Sequence, residues 1–374
     1  MRKTSCFIIL ILCCLLTPVL IKAQEIDHEV IFAEHKYLPG YKMKKLGNTH
    51  LFQGNTKRKA YFEGWYFKMV SDDGSSILSV IPGISISENG KEQHAFVQII
   101  DGKTAQTYYY SYPIEEFSFS KKEFAVKIGP NYFSDNKLVL NINKDSAYVK
   151  GEINMAHHIR YTPRNNKTKG IMGWYRFVPF MQCYHGVVSL THNLSGSLTM
   201  DNKTCNFENG HGYIEKDWGK SMPSSWIWMQ TNSFNNSESS FMLSIANVPW
   251  LGNSFTGYLG FFYHNNEVHP FATYTKAKLN IKMLNENSVQ IRISDKKNTF
   301  LINASRVNYG ELKAPVNGSM DRRIVESVDA KLKLQVLDLR GKEIFSDSTN
   351  IAGLEIVGNI ESLIKNKKKK RKAN

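Results

Sequence analysis

Gly210-His211-Gly212-Tyr213-Ile214-Glu215-Lys216-Asp217-Trp218-Gly219 sets two acids among aromatic rings at the spacing of a β-strand. Side chains of a strand alternate between faces, so His211, Tyr213, Glu215 and Asp217 share one side of it. The segment Tyr61-Phe62-Glu63-Gly64-Trp65-Tyr66-Phe67-Lys68 has the same make-up, with Glu63, Trp65 and Phe67 on a common face. Downstream, Trp226-Ile227-Trp228-Met229-Gln230 brings Trp226, Trp228 and Gln230 together. A carboxyl group walled by Trp and Tyr loses hydration, so its pKa rises and it can stay protonated near neutral pH. The pattern points to an apolar pocket that holds a proton donor.

Outward from these segments, short alternating runs recur between turn clusters such as Ser71-Asp72-Asp73-Gly74, Glu88-Asn89-Gly90-Lys91 and Ser134-Asp135-Asn136. That spacing predicts an all-β sandwich or barrel, and no long amphipathic helical pattern competes with it. Gly186 to Met200 reads as a strand pair turning near Asn193-Leu194-Ser195-Gly196, and Phe271 to Ile281 reads as one strand. Lys331 to Asp338 alternates around Leu332, Leu334 and Val336, and residues 352–364 read as a last strand or short helix.

The chain has 374 residues, 42% hydrophobic and 12% aromatic, enough for one large or two ordinary domains. Residues 1–23 resemble a signal peptide: Arg2 and Lys3, an apolar run from Cys6 to Ile21, then Ile21-Lys22-Ala23. Export is therefore expected. It would leave Cys183 and Cys205, an even count that suggests a disulfide. Of the formal net charge of +15, three positive charges lie in 1–23 and seven in the run Lys365, Lys367–Lys370, Arg371 and Lys372. The basicity is a tail property, read as a solvated segment or a contact for anionic membrane. Asn-x-Ser/Thr sequons begin at Asn166, Asn193, Asn202, Asn235, Asn303 and Asn317.

The chain resembles the tocopherol cyclase family. The resemblance rests on Phe62-Glu63-Gly64-Trp65-Tyr66-Phe67, Gly173-Trp174 with Gln182, and Glu215-Lys216-Asp217-Trp218-Gly219. It continues through Pro223, Trp226, Trp228, Gln230 and Asn232 to Lys333-Leu334-Gln335 and Ala352-Gly353-Leu354-Glu355. The glutamate block is also similar to that of carotenoid hydratases. Departures are Asp217, where plant cyclases carry Asn, and Lys220-Ser221-Met222 in place of a glycine-rich stretch. The resemblance implies two lipocalin-like β-barrels or sandwiches with a hydrophobic cavity near their junction. On that plan one β-domain spans 24–205, a second 206–360, and a basic tail 361–374. It also implies a cofactor-free cyclisation of a prenylated benzoquinol to a chromanol.

Such chemistry needs an acid that protonates an alkene and aromatic faces that stabilise the cation. Glu215 is the first candidate donor; Asp217, on the same face, can share its proton, and Glu63 is the alternative in the other block. The bland reading makes these acids anchors for Lys, Arg or backbone groups at a barrel rim. Trp65, Tyr213, Trp218, Trp226 and Trp228 are candidate pocket walls, or ordinary core. Gln98 and Gln230 are candidates to orient a hydroxyl, or to satisfy buried backbone. The histidines show no metal-ligand spacing, so no metal is expected. No phosphate-binding glycine loop, Gly-x-Ser-x-Gly elbow or basic–aromatic interleaving appears, which disfavours nucleotide chemistry, serine hydrolysis and nucleic-acid binding. Three functions stay open: cyclase, non-catalytic carrier of a lipid or isoprenoid, and isoprenoid hydratase.

Overall fold

The computed structural model describes residues 28–30, 38–144, 147–162 and 170–365. The expected signal segment, the sequon at Asn166 and the basic run from Lys367 lie outside the described residues. Two antiparallel sheets make up the fold. The first holds 13 strands: β1 (His28–Val30), β2 (Tyr61–Val70), β3 (Ile77–Ile86), β4 (Gln93–Asp101), β5 (Thr107–Pro113), β6 (Phe117–Ser120), β7 (Ala125–Ile128), β8 (Asn131–Ser134), β9 (Lys137–Lys144), β10 (Ala147–Ile159), β11 (Cys183–Met200), β12 (Lys203–Asn206) and β13 (His211–Gly219). The second holds 10: β14 (Trp226–Thr231), β15 (Ser240–Trp250), β16 (Asn253–His264), β17 (Glu267–Ala272), β18 (Lys278–Asn285), β19 (Ser288–Ser294), β20 (Asn298–Ser305), β21 (Gly310–Val316), β22 (Ser319–Asp338) and β23 (Glu343–Val357). Helix α1 (Tyr41–Gly47) lies between β1 and β2, and α2 (Ile360–Lys365) follows the second sheet.

Both sheets follow one plan. Each is a meander whose first and last long strands pair, β2 with β13 and β14 with β23. Each opens where a single 3-10 turn replaces a hairpin, at Ile114–Glu116 between β5 and β6 and at Thr273–Thr275 between β17 and β18. Curling a meander until its ends meet removes most exposed edges. The all-β, two-barrel expectation holds.

Strand alternation sorts the side chains. Trp65, Phe67, Ile214 and Trp218 join the core of the first barrel, and Ile227, Met229 and Leu354 that of the second. The opposite faces of the same strands form a third cluster between the barrels, with Tyr66, Val187 and Tyr213 against Trp226, Trp228 and Val328. Burying one such large side chain contributes about 1.5–3 kcal/mol, so this seam fixes the barrels against each other.

Four expectations need correction. Strand β13 belongs to the first sheet, so the changeover between sheets falls between Gly219 and Trp226 rather than at 205/206. Gly186 to Met200 lies within one continuous strand; the turn-like residues mark where β11 exchanges β13 for β12 as neighbour. Phe271 to Ile281 is broken by the turn at Thr273–Thr275. Both Cys183 and Cys205 are free thiols. Cys183 pairs with Gly219 at one end of β11 and Cys205 with Leu198 near the other. At about 3.3 Å per residue that separation far exceeds the Cα–Cα reach of a disulfide.

Candidate functional site

The closing seams of the two barrels face each other across an apolar cavity of about 220 Å³. From the first seam, β13 presents Glu215 and Asp217, opposite Tyr66 and Gly64 of β2, with His185 of β11 opposite Asp217. From the second come Trp226 and Trp228 of β14, Glu326 of β22 and Glu355 of β23, where Glu355 is paired with both Trp228 and Glu326. All four carboxyl groups line the cavity with Phe62, Ile81, Phe96 and Met222.

Glu215 is held by neutral donors. The Tyr213 hydroxyl donates to Oε2 at 2.6 Å and the Trp228 indole N–H donates to the same oxygen at 3.2 Å. Gly353 makes room for that indole: a Cβ there would lie 2.6 Å from the Trp228 ring. Burial raises the Glu215 pKa to about 7; the His185 charge pulls it down and the Asp217 charge pushes it up. With Oε2 accepting two hydrogen bonds, a proton on this acid sits on Oε1.

His185 bridges the two acids. Its Nδ1 lies 2.9 Å from Asp217 Oδ1 and its Nε2 lies 3.4 Å from Glu215 Oε2. Burial would lower its pKa, but the Glu215 and Asp217 charges outweigh that and raise it to about 9. The ring's Nδ1 is paired with Asp217, and its charge is tied to that of Glu215, each acid favouring the charged ring. These three residues offer ligand atoms within 4.8 Å of one another, the right donors for a divalent cation. Only Nδ1 makes a hydrogen bond, to Asp217; Nε2 faces Glu215 without one.

Two further acids complete the wall. The Tyr66 hydroxyl donates to Glu326 Oε1 at 2.6 Å and accepts from Ser79 Oγ at 2.8 Å. Burial raises Glu326 to about 7, while the Tyr66 hydrogen bond and Lys68 oppose the rise. Glu355 accepts from the Trp226 indole N–H. Burial, reinforced by the Glu326 charge, pushes its pKa well above the usual carboxylate range.

The structure brings Glu215, Asp217, Tyr213, Trp226 and Trp228 together, as expected from one face of each strand. Tyr213 lies behind Glu215 rather than on the cavity surface. Glu63, Trp65 and Trp218 do not join them; they point into the first barrel. There Glu63 accepts from Lys216 Nζ at 2.5 Å, Tyr61 OH at 2.5 Å and Gln53 N at 2.9 Å. The Lys216 ammonium lies 4.9 Å from the Trp65 ring and 5.0 Å from that of Trp218. Gln98 reaches the cavity, but its Oε1 accepts from the Lys313 N–H at 2.8 Å and so ties β4 to β21. Gln230 is buried outside the cavity lining, its amide donating to Asn232.

Sequence reasoning missed His185, Glu326 and Glu355. No sequence neighbour marks His185 as a partner of the acids; strand register supplies Asp217 across the sheet. Glu355 stands in the Ala352-Gly353-Leu354-Glu355 block, which was a usable signal. Glu326 carries none.

The model of the tocopherol cyclase-like family matches residues 135–358, a span that contains His185, Glu215, Asp217, Trp226, Trp228, Glu326 and Glu355. A probable tocopherol cyclase, chloroplastic, of Oryza sativa subsp. japonica is 33% identical over 82 residues. The chloroplastic tocopherol cyclase of Zea mays is 28% identical over 81 residues. Each alignment covers 22% of this chain and 17% of the relative. Among solved structures, kievitone hydratase from Nectria haematococca has a TM-score of 0.47 at 12% identity, covering 79% of this chain and 89% of that one. CghA with Sch210972 has a TM-score of 0.49 at 8% identity, covering 80% and 89%.

Proposed function

This chain belongs to the tocopherol cyclase-like family, and from that premise we propose that it protonates the alkene of a prenylated quinol or related isoprenoid and closes a ring on the resulting cation. The curated relatives are matched over only 17% of their length, so the reaction is argued from the site. Glu215 is the donor: its proton adds to the less substituted alkene carbon, and the π bond is lost to a tertiary cation. The faces of Tyr66, Trp226 and Trp228 stabilise that cation. The phenolic oxygen attacks it, a C–O bond forms, and the phenolic proton passes to the Glu215 carboxylate, which restores the acid. Substrate and product are isomers, and no cofactor is consumed. The His185 imidazolium, 3.4 Å from Glu215, stabilises the negative charge left on the acid as the proton departs, which lowers the barrier.

The observation that supports this reading is a single one: a carboxyl group raised to about 7 by burial, held by Tyr213 and Trp228 against an apolar cavity. The test incubates the protein and Glu215→Gln with a panel of prenylated benzoquinols and analyses products by chromatography and mass spectrometry. A product of unchanged mass and altered retention, lost in the variant, is expected. A gain of one water would replace ring closure by hydration. Substrate returned unaltered by wild type, yet bound equally by both proteins, would sink the enzyme reading in favour of a carrier.

A further inference from the structure

We propose that two apolar tips at the mouth of the cavity insert into a lipid bilayer surface, so that an apolar ligand enters from the membrane rather than from water. The first tip is the segment 170–182 ahead of β11, where Trp174 is 49% exposed, Phe177 56% and Phe180 99%. The second is the β15–β16 hairpin, with Trp250 41% and Leu251 87% exposed. Both tips belong to the cavity: Tyr175 and Met181 line it from the first, Pro249 and Phe255 from the second.

The backbone makes this placement specific. Phe180 has φ +64° and Leu251 φ +48°, a left-handed conformation that bulky residues avoid and Asn or Gly accepts. Leu251 and Gly252, with φ +77°, form the two-residue turn between the paired Trp250 and Asn253. Such turns ordinarily carry Asn-Gly or Asp-Gly. Among the described residues, the two most exposed large apolar side chains thus occupy positions where local stability favours Asn, and neither gains packing in return.

The composition fits lipid. Residues 170–182 carry Arg176 and no acid, and residues 248–256 carry no charge, in a chain that is 22% charged. Arg176 stacks 4.7 Å from the Phe177 ring. Aromatic and leucine side chains with a neighbouring Arg, and no carboxylate, make up an interfacial anchor. This proposal does not depend on the chemistry proposed for Glu215.

The experiment is flotation of the full chain with phosphatidylcholine vesicles in about 1 M salt, where screening suppresses any contribution from the basic run. The comparison is Phe180→Asn/Leu251→Asn. Asn relieves both left-handed positions, so the double variant is expected to melt at or above the wild-type temperature while its vesicle partitioning falls roughly ten-fold or more. Equal partitioning of variant and wild type would overturn the proposal. So would a wild type that stays with the soluble fraction, including the case where it self-associates and the variant does not, which would assign the tips to a second copy of this chain.

Discussion

Glu63 and Glu215 lie on the paired strands β2 and β13, each set among Trp and Tyr in sequence, and they face opposite sides of the same sheet. Inside the barrel, Glu63 has a dedicated cation in Lys216 and further donors from Tyr61 and Gln53. Facing the cavity, Glu215 has neutral donors from Tyr213 and Trp228, and a share in an imidazolium that Asp217 also holds. Lys216 stands between Glu215 and Asp217 in the chain yet serves neither, because alternation turns it inward. A buried acid with its own cation is locked as an ion pair. One with neutral donors and a contested cation keeps a proton near neutral pH and can transfer it.

The largest expected effect comes from breaking the locked pair. Lys216→Met keeps the volume but leaves Glu63 buried without its cation, which should destabilise the fold by about 3–5 kcal/mol. The double variant Glu63→Gln/Lys216→Met should recover a substantial part of that, because no unpaired charge remains. Thermal melting of the set measures both. A Lys216→Met protein that melts with wild type would show that the barrel interior hydrates the acid, and the contrast with Glu215 would collapse.

Next in size is the effect of Glu215 on turnover and on the pH dependence of stability. Removing a general acid costs about 10²–10⁴-fold in rate, so Glu215→Gln should lose turnover while still folding. Wild-type activity should fall as pH rises through about 7, where the acid loses its proton. The sign for stability follows from a folded pKa raised above the usual value of 4.5. Burial of the neutral acid is tolerated fully below pH 4.5, and that tolerance is lost as pH rises through about 7. Glu215→Gln should therefore gain on wild type in melting temperature from pH 5 upward. A constant difference across that range would mean that Glu215 is ionised throughout.

The contrast between the two acids explains how far the sequence could be read. Strand parity was legible: Tyr213, Glu215 and Asp217 share a face, as do Trp226 and Trp228, and both expectations hold. The side of the sheet that each face meets was not legible, because alternation gives relative orientation and only closure of the barrel decides inside from outside. For that reason Glu63, Trp65 and Trp218 take the other reading open to them, an acid anchored on Lys216 and ordinary core. His185 and Glu326 escaped because they reach the site through register with distant strands, 32 and 111 residues from Asp217 and Glu215 respectively. Turn residues misled where a turn signal served a bend, as at Gly196, whose φ of +113° lies inside β11.

The smallest effect tests whether the neutral donors around Glu215 are themselves positioned. Gly353 lies opposite Gln230 on β23, and its missing side chain leaves the space that the Trp228 ring fills. Unlike the turn glycines, it has no positive φ, so alanine is compatible with its backbone. The consequence of Gly353→Ala is therefore confined to a clash with one indole. The ring must tilt, and its N–H, already 3.2 Å from Glu215 Oε2, moves off the acid. Losing that donor should raise the Glu215 pKa, because the hydrogen bond favours the carboxylate. The alkaline limb of the activity profile should shift upward by a few tenths of a unit, with turnover reduced less than ten-fold. Trp228→Phe removes the same donor without crowding the strand and should reproduce the shift. If Trp228→Phe moves the limb and Gly353→Ala does not, the indole has room to yield while keeping its hydrogen bond. If neither moves it, Tyr213 alone sets the acid, and the neutral-donor half of the contrast reduces to one hydroxyl.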